Sequence, residues 1–147
     1  MKIVLASDHA GYRYRKVLEE RAKAQGHRVI IRGAESEEAY DYPNASDEAA
    51  KVILDGDADM GVLLCGSGIG VCIRANRYLH IRAAQCFTPD MAESARTHNN
   101  ANVLCIGQRI MEQSTAEAIF DRFFAVDAST EERHVRRVKM LDSDLSC

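Results

Sequence analysis

Residues 60–70 read Met60-Gly61-Val62-Leu63-Leu64-Cys65-Gly66-Ser67-Gly68-Ile69-Gly70. The first six form an apolar run of strand length. Polar and apolar side chains do not alternate in it, the pattern of a strand buried on both faces of a parallel sheet. The glycines that follow stand at alternate positions, so the backbone can turn sharply and leave its N–H groups open. Val71 to Arg77 then reads as helix. A strand entering a helix through such a turn makes a nest for an anion. The spacing is not that of a P-loop, since no Lys-Ser/Thr follows, and G-x-G-x-x-G is absent.

Four more short apolar runs repeat the strand pattern: Ile3–Ala6, Val29–Ile31, Ile81–Cys86 and Val103–Ile106. Helical periodicity fills the intervals. Tyr14, Val17, Leu18 and Ala22 share one face before Gly26. Ala45, Ala49, Val52 and Ile53 share another, with Pro43 near its first turn. Ala116, Ile119, Phe120 and Phe123 line a later helix, and Val135, Val138 and Leu141 are expected to point inward from a final one. Ser114 with Glu117, and Ser129 with Glu132, have capping-box spacing before these two. The order βαβαβαβαβαα predicts an α/β fold: a Rossmann-like, doubly wound three-layer sandwich with a five-stranded parallel sheet and an extra C-terminal helix. Ligands of such sheets bind outside the C-terminal strand ends.

The 147 residues suffice for one domain, expected to span 1–147, and the net charge of −3 argues against bulk binding to nucleic acid or an anionic membrane. The five cysteines are odd in number and form no C-x-x-C pair, which argues against a disulfide framework or zinc ribbon and for a reducing cytoplasm. The apolar start is too short for a signal peptide, and no segment approaches the ~20 apolar residues of a membrane span.

Strand ends hold the candidate chemistry. Asp8-His9 follows the first strand; Asp8 can cap the next helix, and His9 then faces the crevice. Cys65 opens the glycine turn, where neighbouring N–H groups and a positive helix end favour its thiolate. A thiolate there can serve as general base, with the amides ready for a developing oxyanion. Cys72, Cys86 and Cys105 read as core residues, and Cys147 as tail. His98 lies in the polar stretch Ala95–Asn102, Arg109 follows the fifth strand, and Arg133 and Arg137 share one helical face, as a phosphate clamp would. Each has a plainer reading: a cap, a tight turn, an Asn-rich loop, a solvated basic face.

Taken in order, these motifs resemble the ribose-5-phosphate isomerase B family, which includes the galactose-6-phosphate isomerase subunits. The match covers Asp8-His9, Asp41-Tyr42-Pro43, Cys65-Gly66-Ser67-Gly68-Ile69-Gly70, Ala75-Asn76, Ile81-Arg82-Ala83, His98-Asn99 with Asn102, Gly107 with Arg109, and Arg133-His134 with Arg137. The resemblance implies an aldose–ketose isomerase without metal or cofactor, working through an enediolate. It implies Cys65 as the proton-transferring base and His98 in ring opening. By the same resemblance, Ser67 and the amides of Gly66, Gly68, Ile69 and Gly70 would form the oxyanion site, Asp41 and Tyr42 would lie near His98 in the site, and Asp8 would be among the substrate-binding residues. The resemblance likewise implies that His9, Arg109, Arg133 and Arg137 would hold the phosphate, and Asn99 a sugar hydroxyl. It further implies a homodimer, or a tetramer made of two such dimers, in which His98, Asn99, Arg109, Arg133 and Arg137 face the partner's Cys65.

One branch of that family uses a glutamate where Val71 stands, so the presence of Cys65 favours the thiolate. Departures from the family are Arg32 without a nearby Asp, Glu131 and Glu132 in place of two glycines, and Arg74 and Gln85 in place of small or apolar residues. Two carboxylates beside the phosphate arginines would compete for them. The leading expectation is ribose 5-phosphate to ribulose 5-phosphate. Allose 6-phosphate, galactose 6-phosphate or a tetrulose phosphate are alternatives, as is a phosphosugar-binding module without turnover.

Overall fold

Successive residues of a strand leave its sheet on opposite faces, and the two cores of this protein follow that rule. A computed structural model describes residues 1–143; Cys147 lies outside them. Five parallel strands, β1 (Lys2–Ser7), β2 (Arg28–Gly33), β3 (Met60–Cys65), β4 (Ala83–Gln85) and β5 (Val103–Gly107), form one sheet in the order β2-β1-β3-β5-β4. Ile3, Leu5, Val62, Leu64, Leu104 and Ile106 face one side. There they pack against α1 (Tyr12–Ala24), α4 (Pro89–Asn99) and α5 (Gln113–Ala125) through Leu18, Ala92, Ala95, Ile119, Phe120 and Phe123. Val4, Ala6, Leu63, Cys65, Val103 and Cys105 face the other, against α2 (Tyr42–Leu54) and α3 (Ile69–Ala75). The last helix, α6 (Glu132–Leu141), packs on α4 at the sheet's margin.

The three inner strands are buried throughout apart from Lys2, whereas β2 is half-buried, as an edge position requires. The run Ile81–Cys86 supplies only the three-residue β4, also an edge. Chain order reverses between β1 and β3: β1 leads outward to β2, and the chain returns to lay β3 on the other side of β1. A crevice therefore opens past the C-terminal ends of β1 and β3. Asp8-His9 follows one of these strands, and the glycine turn follows the other.

Several local expectations are corrected. Neither capping box forms: Glu112 and Glu131 occupy the N-cap positions of α5 and α6, and neither side chain caps. Ser129 Oγ instead accepts the Glu131 N–H at 3.1 Å. On α1 the buried face is Arg15, Leu18 and Ala22, with Tyr14 and Val17 half-buried. Arg15 is 5% exposed and donates to the Arg32 carbonyl at 2.8 Å. On α6 only His134 is buried, while Val135 and Leu141 are exposed. That helix touches the body along one narrow seam, leaving most of its apolar face to solvent in the single chain. Among the described residues no helix is long and apolar enough to cross a membrane.

Phe120 is fully enclosed beneath the sheet. Phe120→Ala is expected to lower unfolding free energy by ~3–5 kcal/mol, through lost transfer energy and a residual cavity. Urea titration checks this, with an unchanged m-value showing that the folded state keeps its compactness.

Candidate active site

Cys65 ends β3 with its side chain toward α2 and α3, and it is 5% exposed. Its sulfur accepts the Gly68 N–H at 3.0 Å. That contact strengthens when the sulfur carries negative charge. Gly68 lies in the left-handed region, φ +77°, as the tight return of the chain onto Cys65 requires. The N–H groups of Gly66, Ser67 and Gly70 donate to no acceptor among the described residues. Ser67 Oγ receives a long contact from the Ile69 N–H, 3.3 Å.

Around this turn opens a cleft of about 630 Å³, lined by Asp8, His9, Tyr42, Cys65, Ser67 and Arg109 among others. Asp8 Oδ1 accepts the Gly11 N–H at 2.9 Å and so caps the turn His9–Gly11 that leads into α1. His9 Nδ1 lies 3.2 Å from both the N–H and the carbonyl oxygen of Tyr40, which leaves Nε2 as the ring nitrogen free for a ligand. The Tyr42 ring packs against Gly70 so closely that a β-carbon there would fall 2.6 Å from the ring. Arg109 lays its side chain against Gly66 of its own chain, and its backbone N–H donates to the Gly66 carbonyl at 2.9 Å. The expectation that Arg109 faces another subunit's cysteine is therefore corrected, since it lines the Cys65 cleft of its own chain. Asp41 is exposed at the N-cap of α2, one residue outside the lining.

The other expected residues lie elsewhere. His98 and Asn99 close α4, whose C-terminal end leads into Val103 at the start of β5, whereas Cys65 pairs with Gly107 at its finish. Four residue steps along a strand separate those levels by about 13 Å. The two halves thus occupy opposite ends of one sheet. His98 stacks face to face on His134 of α6, with ring centroids 4.5 Å apart and planes 7° apart. Arg133 and Arg137 are exposed on α6, and the Arg133 Nε donates to the Glu131 carboxylate at 2.8 Å. A second cleft, about 750 Å³, opens on this far side between Asn76–Ala84 and the end of α6. It is the larger of the two, but it holds neither the thiol nor the open amides.

Arg74 forms a two-pronged contact with Asp47, 2.6 and 2.9 Å, which clamps α3 to α2 behind the glycine turn. Cys72 is half-buried rather than core; a bond from the Cys105 thiol, working against burial, brings its thiol down to about 7. Burial pushes the Cys86 thiol up to about 11. Sequence reasoning missed the stacking of His134 on His98. Its one trace was a histidine on the buried side of the arginine pair.

The fold and cleft define a class: a doubly wound α/β domain whose switch-point crevice presents a thiol among unsatisfied backbone donors. The chain belongs to the ribose/galactose isomerase family, whose model matches residues 3–141. It is 34% identical over 140 residues to ribose-5-phosphate isomerase B of Escherichia coli, covering 95% of this chain and 93% of that one. With the Mycobacterium tuberculosis enzyme of that name it shares 37% over 142 residues, covering 96% and 88%. Its fold superimposes on a ribose 5-phosphate isomerase from Thermotoga maritima with a TM-score of 0.92 at 42% identity, covering 96% and 97%. The corresponding values for ribose-5-phosphate isomerase B from Clostridium thermocellum are 0.94, 35%, 97% and 95%.

Burial, then the neighbouring His98, Arg133 and Arg137, lowers the His134 pKa below the ordinary histidine value, against a smaller opposing pull from Glu131. A base held down in this way favours its neutral form in the folded state. Its contribution to stability is complete above the ordinary range, ~6.5, and is lost as pH falls through the lowered folded value. NMR titration of the His134 ring is expected to give a midpoint below that of a free histidine, with the stacked pair separating on the acidic side.

Proposed function

We propose that this isomerase interconverts ribose 5-phosphate and ribulose 5-phosphate, and that the Cys65 thiolate is its base. The observation that carries the reading is the sulfur at the cleft floor, beside the open N–H groups of Gly66, Ser67 and Gly70. In the open-chain aldose, the thiolate takes the proton from C2. The electron pair of that C–H bond forms the C1–C2 double bond, and charge moves onto O1. Preorganised amides at that oxygen are worth a few kcal/mol each. Return of the proton to C1, with transfer of a proton from O2 to O1, yields the ketose. Ser67, Gly68 and Ile69 complete the turn that shapes the oxyanion site, and Asp8, Asp41 and Tyr42 border the sugar.

His98 serves ring opening, since a histidine exchanges protons at neutral pH, and Asn99 holds a hydroxyl. A span of about 13 Å along β5 keeps both from the Cys65 cleft of the same chain, so a second copy supplies them. Arg133 and Arg137 come from that copy and meet His9 and Arg109 at the phosphate. Exposed Tyr42, Ile69, Ile73 and Ile110 beside the cleft suit a face that another subunit covers. The working unit is thus a homodimer, which a tetramer would contain twice, and residues 1–147 act as one domain. Unpaired thiols at Cys65, Cys72, Cys86 and Cys105 suit a reducing cytoplasm.

Cys65→Ala is expected to cut kcat for ribose 5-phosphate by ~10²–10⁴-fold, the usual contribution of a positioned general base. Mixing it with a His98→Asn variant under subunit exchange should restore about a quarter of the wild-type activity, because half the dimers then carry one intact site of two. Full activity of Cys65→Ala removes the thiol from its role, and no recovery on mixing removes the shared site.

Glu131 pairs with Arg133 at 2.8 Å, and in this reading the pair must open before Arg133 can hold a phosphate. Exposed pairs of this kind are worth ~0.2–1 kcal/mol, so Glu131→Gln is expected to lower KM by up to about fivefold with kcat unchanged. Ranking five-carbon, six-carbon and four-carbon sugar phosphates by kcat/KM in both proteins tests the choice of substrate.

A further inference from the structure

We infer that Gln85 is a positioning residue for the Cys65 sulfur, acting through the Ser67–Gly68 peptide; its catalytic meaning rests on the reading of Cys65 as the base. The Gln85 Nε2 donates to the Ser67 carbonyl oxygen at 2.6 Å. The N–H at the other end of that same peptide unit, on Gly68, donates to the Cys65 sulfur at 3.0 Å. A trans peptide is planar, with its C=O and N–H pointing in opposite directions. A donor that fixes the oxygen therefore aims the N–H. Bonds in series also polarise one another, so the amide group of Gln85 strengthens the donor that the sulfur receives.

The fold makes this reach possible. Gln85 ends β4 and lies level with Cys105 of β5, while Cys65 of β3 lies level with Gly107. The side chain must cross the end of β5 to meet the glycine turn, and at that crossing β5 has no side chain. A β-carbon on Gly107 would stand 2.5 Å from the Ser67 carbonyl carbon and oxygen. One on Gly68 would stand 3.1 Å from the Gln85 Nε2. Gln85 does not line the Cys65 cleft, so its effect is indirect. A glutamine that only satisfied a stray carbonyl would leave the reactivity of the thiol unchanged.

The test compares the wild-type chain with Gln85→Met, which keeps length without a donor, and Gln85→Glu, which sets a carboxylate against the carbonyl. Iodoacetamide labels each protein across pH. Tandem mass spectrometry of the tryptic peptide 52–74 then reads Cys65 and Cys72 separately. The half-maximal pH for Cys65 is expected to rise by about one unit in Gln85→Met, the scale of one charge-assisted hydrogen bond weakened, with the Cys72 profile unmoved. Below that pH, kcat on ribose 5-phosphate is expected to fall about tenfold while KM stays within about twofold.

An unmoved Cys65 profile, or Cys65 and Cys72 moving together, overturns the inference. Should the variants fail to fold, the wild-type chain answers alone. The Gln85 side-chain NH₂ resonances are expected to titrate with the Cys65 midpoint, and a flat response across that range overturns the inference. Absence of isomerase activity in the wild-type chain would refute the base reading, while the labelling would still decide whether Gln85 governs the sulfur.

Discussion

The Cys65 sulfur sits under a backbone turn because the neighbouring strand ends in a residue with no side chain. Gly107 lies level with Cys65, and the Ser67 carbonyl passes so close to it that a single added methyl would collide. That close approach lets the chain leave β3, reverse through Gly68 and return an N–H to the thiol before α3 begins. The open amides, the crossing of Gln85 over β5 and the cleft itself follow from the same contact. A glycine so placed costs conformational entropy on folding, and a turn that no side chain could otherwise make offsets that cost.

The second organising fact is the length of β5. A parallel strand carries its two ends about 13 Å apart over these five residues, with the thiol half of the candidate chemistry at the finish and the His98 half near the start. Parallel sheets concentrate ligands at one end, and residues gathered at the other end belong to a different surface of the molecule. Here that surface holds the stacked His98–His134 pair and the exposed arginines of α6. Arg82 ties it together, donating to the Asn100 carbonyl at 2.8 Å and to Asp142 at 2.7 Å. The far half is thus built with rigid supports of its own, separate from those of the cleft.

Much of this was legible in the amino acids. Apolar runs without alternation marked the central strands, since both faces of a parallel sheet are covered. The period of α5 marked Ile119, Phe120 and Phe123 correctly, because that helix lies flat on the core. The same reasoning failed on α6: Val135, Val138 and Leu141 have inward spacing, but only His134 is buried, Val138 is half-buried, and the other two are exposed. A helix on the margin has too little surface beneath it to bury its whole stripe. Capping boxes failed for a related reason. Spacing alone does not require a serine to start the helix, and here the chain enters α5 and α6 from Glu112 and Glu131.

By itself, the sequence determined the class of fold, the thiol in a glycine turn at a strand end, and the presence of polar residues at the ends of other strands. Those are properties of local pattern: burial on two faces, freedom of glycine, a helix beginning where a strand stops. Only the tertiary structure decided which of those residues share a cleft, that Arg109 stands with the Cys65 of its own chain, and that His98 rests on His134 far from it. It alone showed Gln85 reaching the peptide beneath the sulfur. Strand order and register bring distant residues together or hold them apart, and both arise from packing among all the elements at once.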